Sequence, residues 1–111
     1  MSDYRIDKES WAQHDIFFQM GNIASEVGRS IKAYRNGKID RMNNAIDRAL
    51  VLLDATIEDL ARQRSPRLKE VLRAREEYLR LFFDGRFDED ADNIERYFMW
   101  FAIAARNGAT A

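Results

Sequence analysis

The chain has no cysteine, one histidine, one proline and five glycines in 111 residues. Without cysteine, disulfides and thiolate metal sites are excluded. With His14 as the single histidine, the paired Glu-x-x-His motifs of dimetal bundles are excluded too. So few glycines and one proline leave little turn chemistry for an all-β chain. The longest apolar run without charge, Tyr97 to Ala105, has nine residues. A membrane helix needs ~20. Met1 to Ser10 is mostly polar and does not resemble a signal peptide. The expectation is a cytoplasmic protein with no membrane contact. A formal charge of −1 gives no global field that would draw in nucleic acid.

What is present is helical periodicity. Ile16, Met20, Ile23, Val27, Ile31 and Tyr34 recur at spacings of four and three, which predicts a helix over 10–35 with Ser10 as its N-cap. Asn36-Gly37 supplies a left-handed stop. A second helix, 39–62, carries Ile39, Met42, Ile46, Ala49, Leu53, Thr56 and Leu60 inward. Ser65-Pro66 opens a third, 66–83, with Leu68, Val71, Leu72, Leu79, Phe82 and Phe83 inward and Asp84-Gly85 as its stop. Asp88, Glu89, Asp90 and Asp92 complement the dipole of a fourth, 89–106, closed by Asn107-Gly108. The architecture expected is all-α, an up-down-up-down four-helix bundle over 10–106, with a tail at 1–9 and a frayed end at 107–111.

No constellation supports a reaction. Asp88, Asp90 and Asp92 match three positions of a calcium loop, but Asn93 stands where the loop needs Gly and Met99 where it needs Glu. Asp40, Asp47, Asp54 and Glu58 form a carboxylate row without the second pair that a helical nucleotide pyrophosphatase uses, and they read as a solvated flank. No nucleophile has a base beside it. The expectation is no catalytic residue, no metal and no cofactor, with a metal-dependent nucleotide hydrolase as a distant third reading.

Two features point to binding. Fourteen of the eighteen cations are Arg. Arg62, Arg64, Arg67, Lys69 and Arg73 form a strip for phosphate or an acidic partner, interleaved with Glu70, Glu76 and Glu77. Arg75 falls between Leu68 and Phe82 on the helical wheel, which suggests a snorkelling stem or a buried ion pair. The second feature is a surplus of apolar faces. Ile94, Tyr97, Phe98, Phe101 and Ala105 share one face of the last helix, leaving Met99, Trp100 and Ile103 outside it. Trp11, His14 and Phe18 repeat this on the first helix, and bundle topology places the two groups at the same end. They form the expected interface, by self-association or with another protein. Gly21 and Gly28 allow a neighbouring helix to approach closely.

The runs Met20-Gly-Asn-Ile-Ala-Ser-Glu-Val-Gly-Arg29, Arg48-Ala-Leu-Val-Leu-Leu-Asp-Ala-Thr-Ile57 and Arg67-Leu-Lys-Glu-Val-Leu-Arg-Ala-Arg-Glu76 resemble a group of small prokaryotic all-helical proteins without known activity. That resemblance implies a fold and no reaction. Asn22-Ile23-Ala24 with Glu26 and Gly28-Arg29 is also similar to the Asn-Ile-Ala-Glu-Gly signature of four-helix-bundle proteins encoded in ribosomal RNA insertions and beside retroelements. In this chain Ser25 and Val27 interrupt the signature. That likeness implies ring oligomers and, in the retroelement members, a basic nucleic-acid accessory. The expected function is non-enzymatic, through protein interfaces and homo-oligomerisation. The alternative is a nucleic-acid-contacting accessory subunit using the Arg-rich third helix.

Overall fold

Two aspartates set the start of the chain's helical order. The computed structural model describes residues 4–83 and 86–110. In it the Asp7 carboxylate accepts from the N–H groups of Glu9 and Ser10 and starts α1, Lys8–Ala12. Asp15 accepts from the Phe18 N–H at 3.0 Å and starts α2, Ile16–Arg35. The single helix expected over 10–35 is therefore two, and the N-cap is Asp7 rather than Ser10. Gln19 holds the break together. Its buried amide is shared among the Trp11 carbonyl, the His14 carbonyl and the Asp59 carboxylate. The Trp11 carbonyl also accepts from the His14 N–H at 3.1 Å, and the Gln19 amide adds a side-chain donor to both carbonyls where α1 stops.

The remaining helices are α3, Ile39–Arg62; α4, Leu68–Arg80; and α5, Phe87–Arg106. Among the described residues there is no strand. Three helices end in one motif. The N–H groups of Gly37 and Lys38 bond back to Tyr34 and Ala33, and Gly108 and Ala109 to Ala105 and Ala104. Both glycines are left-handed, at φ 68° and 87°, as the sequence led one to expect. After α3 the same bonds run from Arg64 and Ser65 to Ala61 and Leu60, with Arg64 at φ 53°. Ser65 Oγ then accepts from the Arg67 N–H, and α4 begins at Leu68, two residues beyond the expected start. The stop expected at Asp84-Gly85 lies outside the described residues.

The core follows α2. Met20, Ile23, Val27 and Ile31 are fully buried, with Leu53 of α3, Val71 and Tyr78 of α4, and Phe98 and Phe101 of α5. Each such side chain contributes roughly 1.5–3 kcal/mol by leaving water. On α3 the expected Ala49, Leu53, Thr56 and Leu60 are buried and the face is widened by Ala45, Leu52, Ala55 and Asp59, while Ile39 is half exposed. The expected α4 face is rotated. On α4 the buried line is Val71, Ala74, Tyr78 and Leu81; Leu72 is 45% and Phe83 81% exposed. The α4 line has the same three-and-four spacing as the expected one, but it passes through a small residue and a tyrosine. Size decides: Ala74 lets α4 approach, and the Tyr78 hydroxyl finds a buried partner in Ser30 at 2.7 Å.

α2 packs along most of α3 and of α5, α4 leans on α3, and α4 and α5 touch sparingly. Gly21 permits the α2–α5 approach: a Cβ there would meet the Ala102 Cα at 3.3 Å. Gly28 faces the Glu95 carboxylate, where a Cβ would come within 3.2 Å. The radius of gyration, 13.6 Å, is close to the ~13 Å expected for a folded chain of this length. No helix among the described residues is long and apolar enough to cross a membrane.

Candidate interaction surfaces

Because α4 and α5 stand apart, a cleft runs along their seam. On the α4 wall Glu70, Arg73, Ala74 and Glu77 face it; on the α5 wall Asn93, Ile94, Tyr97 and Phe98 do. Its floor is apolar and its rim carries both signs of charge. The Tyr97 hydroxyl bridges the walls by donating to Glu70. This bridge divides the cleft into a lobe of about 360 Å³ over Ala74, Ile94 and Phe98 and one of about 490 Å³ over Trp100 and Phe101. Burial, and then the Glu70 carboxylate, raise the Tyr97 phenol well above its ordinary value of 10. Tyr97 therefore stays protonated and keeps donating.

Trp100 stands at the mouth of the second lobe, 54% exposed. Its ring meets Phe17 at 5.9 Å and Phe101 at 5.0 Å. The Arg67 guanidinium lies over Phe17 and Phe101, at 6.0 and 5.6 Å, and pairs loosely with Glu70 at 3.7 Å. Ile103 is 49% exposed, whereas Met99 packs partly against the core.

Trp11, His14 and Phe18 gather at a different place. The imidazole stacks on Phe18 with centroids 3.8 Å apart, and Trp11 meets Phe18 edge-on at 6.3 Å. The Trp11 indole donates to Thr56 Oγ1 at 2.9 Å, which ties α1 to α3. Tyr4 and Ile6 line the same hollow and pack against the core. Phe18 is 42% exposed. Among the described residues no ring contact joins this group to Trp100; Phe17 makes that contact instead. Neighbouring residues on a helix point ~100° apart, so Phe17 turns to α5 and Phe18 to α1.

The Arg-rich strip is largely occupied. Arg62 pairs with Asp59 at 3.3 Å, Arg67 with Glu70, and Arg73 with Glu77 at 3.2 Å. Arg64 and Lys69 have no ion-pair partner among the described residues. Arg75 pairs with Asp54 at 2.9 Å, but the side chains are 33% and 58% exposed. The buried ion pair expected there is a half-exposed one, because rotation of the α4 face moves Arg75 to the edge beside α3. Such a pair is worth about 1 kcal/mol or less. The carboxylate row of α3 is likewise dispersed into pairs: Asp54 with Arg75, and Glu58 with Lys8 at 3.0 Å. One carboxylate that sequence reasoning passed over, Glu26, is buried between α2 and α3 and held by Arg29 and by Arg48 Nε at 2.6 Å.

The chain matches no protein-family model, and no curated protein or solved structure is detectably similar to it.

Proposed function

We propose that the chain is a non-enzymatic interaction protein that assembles with a second copy of itself through the α4–α5 cleft. The reading treats α2 to α5 as the members of an up-down-up-down four-helix bundle whose last seam is left open. The observation that carries it is the pairing of a hole with a knob on one surface. The cleft has an apolar floor, and Trp100 projects half exposed at its mouth. A two-fold interface places the same patch on both copies, so each Trp100 enters the other's cleft. The mixed rim suits this arrangement, since Lys69 and Arg73 alternate with Glu70 and Glu77 and meet opposite charge on rotation. A foreign partner of one charge sign would find no complement on such a rim. Buried tryptophan is a frequent centre of binding energy.

The test is light scattering across a concentration series. The parent chain is expected to rise from monomer to dimer mass. Trp100→Glu is expected to stay monomeric, a loss of at least ~2 kcal/mol in association. Phe18→Glu, on the other hollow, is expected to dimerise like the parent. A parent chain that stays monomeric at high concentration removes the reading.

A further inference from the structure

The α2–α3 hairpin closes a second groove, of about 390 Å³, on a different side of the molecule's charge pattern. Its walls carry five cations: Arg29, Lys32, Lys38, Arg41 and Arg48. No carboxylate lines it. The left-handed turn at Gly37, φ 68°, brings the two helices back together and so sets the cations opposite one another.

The charge is organised. Arg29 and Arg48 reach from facing helices to the buried carboxylate of Glu26, which orients both guanidinium groups. Lys32, Lys38 and Arg41 are exposed and have no ion-pair partner among the described residues. Five cations against one carboxylate leave a local charge of +4 in a chain whose net charge is −1. Arg62, Arg67, Arg73, Arg75 and Arg86 are each held by a carboxylate, whereas three of the five cations of this groove, Lys32, Lys38 and Arg41, are not. Like charges held together without a counter-ion repel, and a bound anion relieves that repulsion.

The lining also narrows the anion. Guanidinium forks match phosphate oxygens in pairs, and lysines add point charges around them. Asn36 and Asn44 supply further amide donors. No aromatic side chain lines the groove, so no ring is offered to a base. A chain of phosphates meets more of these cations at once than a single orthophosphate does. A chain of two or three phosphates brings roughly three to five negative charges at neutral pH. We infer that this groove binds a phosphate chain, whether inorganic or the tail of a nucleotide, through its phosphates alone.

Calorimetric titration with sodium tripolyphosphate at ~50 mM salt tests this, because electrostatic contacts are strongest there. The parent chain is expected to bind it, and to bind orthophosphate roughly tenfold or more weakly. Lys32→Glu plus Arg41→Glu is expected to weaken binding at least ~10-fold. Arg64→Glu plus Arg106→Glu makes the same change in net charge elsewhere and should leave affinity within about twofold. If the first pair fails to fold, Lys32→Gln plus Arg41→Gln replaces it with the same expectation. Glu26→Gln frees both arginines, so it is expected to lower the unfolding temperature yet tighten binding, which mere structural damage does not do. ATP should bind within a few-fold of tripolyphosphate. No binding by the parent overturns the inference. So does equal loss in both charge-reversed pairs, weaker binding by Glu26→Gln, or ATP binding more than ~10-fold tighter than tripolyphosphate.

Discussion

The Tyr97 hydroxyl reaches 2.7 Å across the α4–α5 cleft to donate to Glu70. This hydrogen bond joins the cleft's two walls, and both residues line both lobes. Tyr97→Phe is expected to cost about 0.5–1.5 kcal/mol, because neither partner is left fully buried and unsatisfied. Denaturant unfolding measures this; a loss above ~3 kcal/mol would mean that the bridge holds the helices together rather than spanning a gap that exists without it.

Tyr97 also gives the molecule an alkaline limit, shared with Tyr78. Burial raises both phenols above the ordinary value of 10, and the Glu70 hydrogen bond raises Tyr97 further. A folded-state value above the unfolded one stabilises the fold in full below pH 10. That contribution declines as pH rises above it, because only the unfolded chain readily releases the proton. Between about pH 9 and 11, phenolate absorbance from these two residues should appear only as far as circular dichroism reports unfolding. Tyr78→Phe plus Tyr97→Phe should leave the absorbance of the folded chain in that range unchanged.

Ser30 and Tyr78 join α2 to α4 inside the core, and their hydrogen bonds have a direction. Ser30 Oγ donates to the Val27 carbonyl at 2.7 Å, so the Tyr78 hydroxyl is the donor to Ser30. Ser30→Ala strands a buried hydroxyl and should cost about 1–3 kcal/mol. Tyr78→Phe leaves Ser30 its carbonyl partner and should cost less. Equal losses would contradict this assignment of the donor.

The two interior glycines of α2 should respond to alanine with opposite signs. Helix propensity favours alanine by roughly 0.5–1 kcal/mol at both. At Gly28 the atom in the way is the end of the Glu95 side chain, which can swing aside. At Gly21 it is the Ala102 backbone, which can move only with α5. Thermal unfolding should therefore rise for Gly28→Ala and fall for Gly21→Ala.

Arg64 occupies the left-handed position that Gly37 and Gly108 fill at the other helix ends. Arg64→Gly should stabilise the chain by about 0.5–1 kcal/mol in the same measurement, through relief of backbone strain. A destabilised variant would mean that the Arg64 side chain is held by a contact worth more than that strain.

Much of this fold can be read locally. Asn36-Gly37 and Asn107-Gly108 mark real helix ends because a left-handed residue is a property of a few adjacent positions. The inward residues of α2 and α5 follow from spacing alone, since Met20, Ile23, Val27, Phe98 and Phe101 dominate their faces in size. The break at Asp15 was hidden because apolar residues continue in helical register across it, and what opens the turn is the Gln19 amide reaching two carbonyls. On α4 the large residues Leu72 and Phe83 draw the expected face toward themselves, but the buried line runs through Ala74 and through Tyr78, which bonds to Ser30 of α2. The cleft was illegible for a plainer reason. Periodicity says which side of a helix is buried, not how far two buried sides stand apart. Likewise Lys32, Lys38 and Arg41 lie apart from the dense Arg62–Arg80 run and meet Arg29 and Arg48 only when the hairpin closes.

The most direct test of self-assembly through the cleft uses the two tryptophans as reporters on one sample. The half-buried Trp11 indole is hydrogen-bonded to Thr56, and Trp100 is 54% exposed at the cleft. In nitrogen–proton correlation spectra recorded on dilution from about 1 mM to about 10 µM, a span that covers weak self-association, the Trp100 indole signal should shift or broaden with concentration. The Trp11 signal should stay in place. A Trp100 signal that does not move across that range, or a Trp11 signal that moves in its stead, contradicts the account.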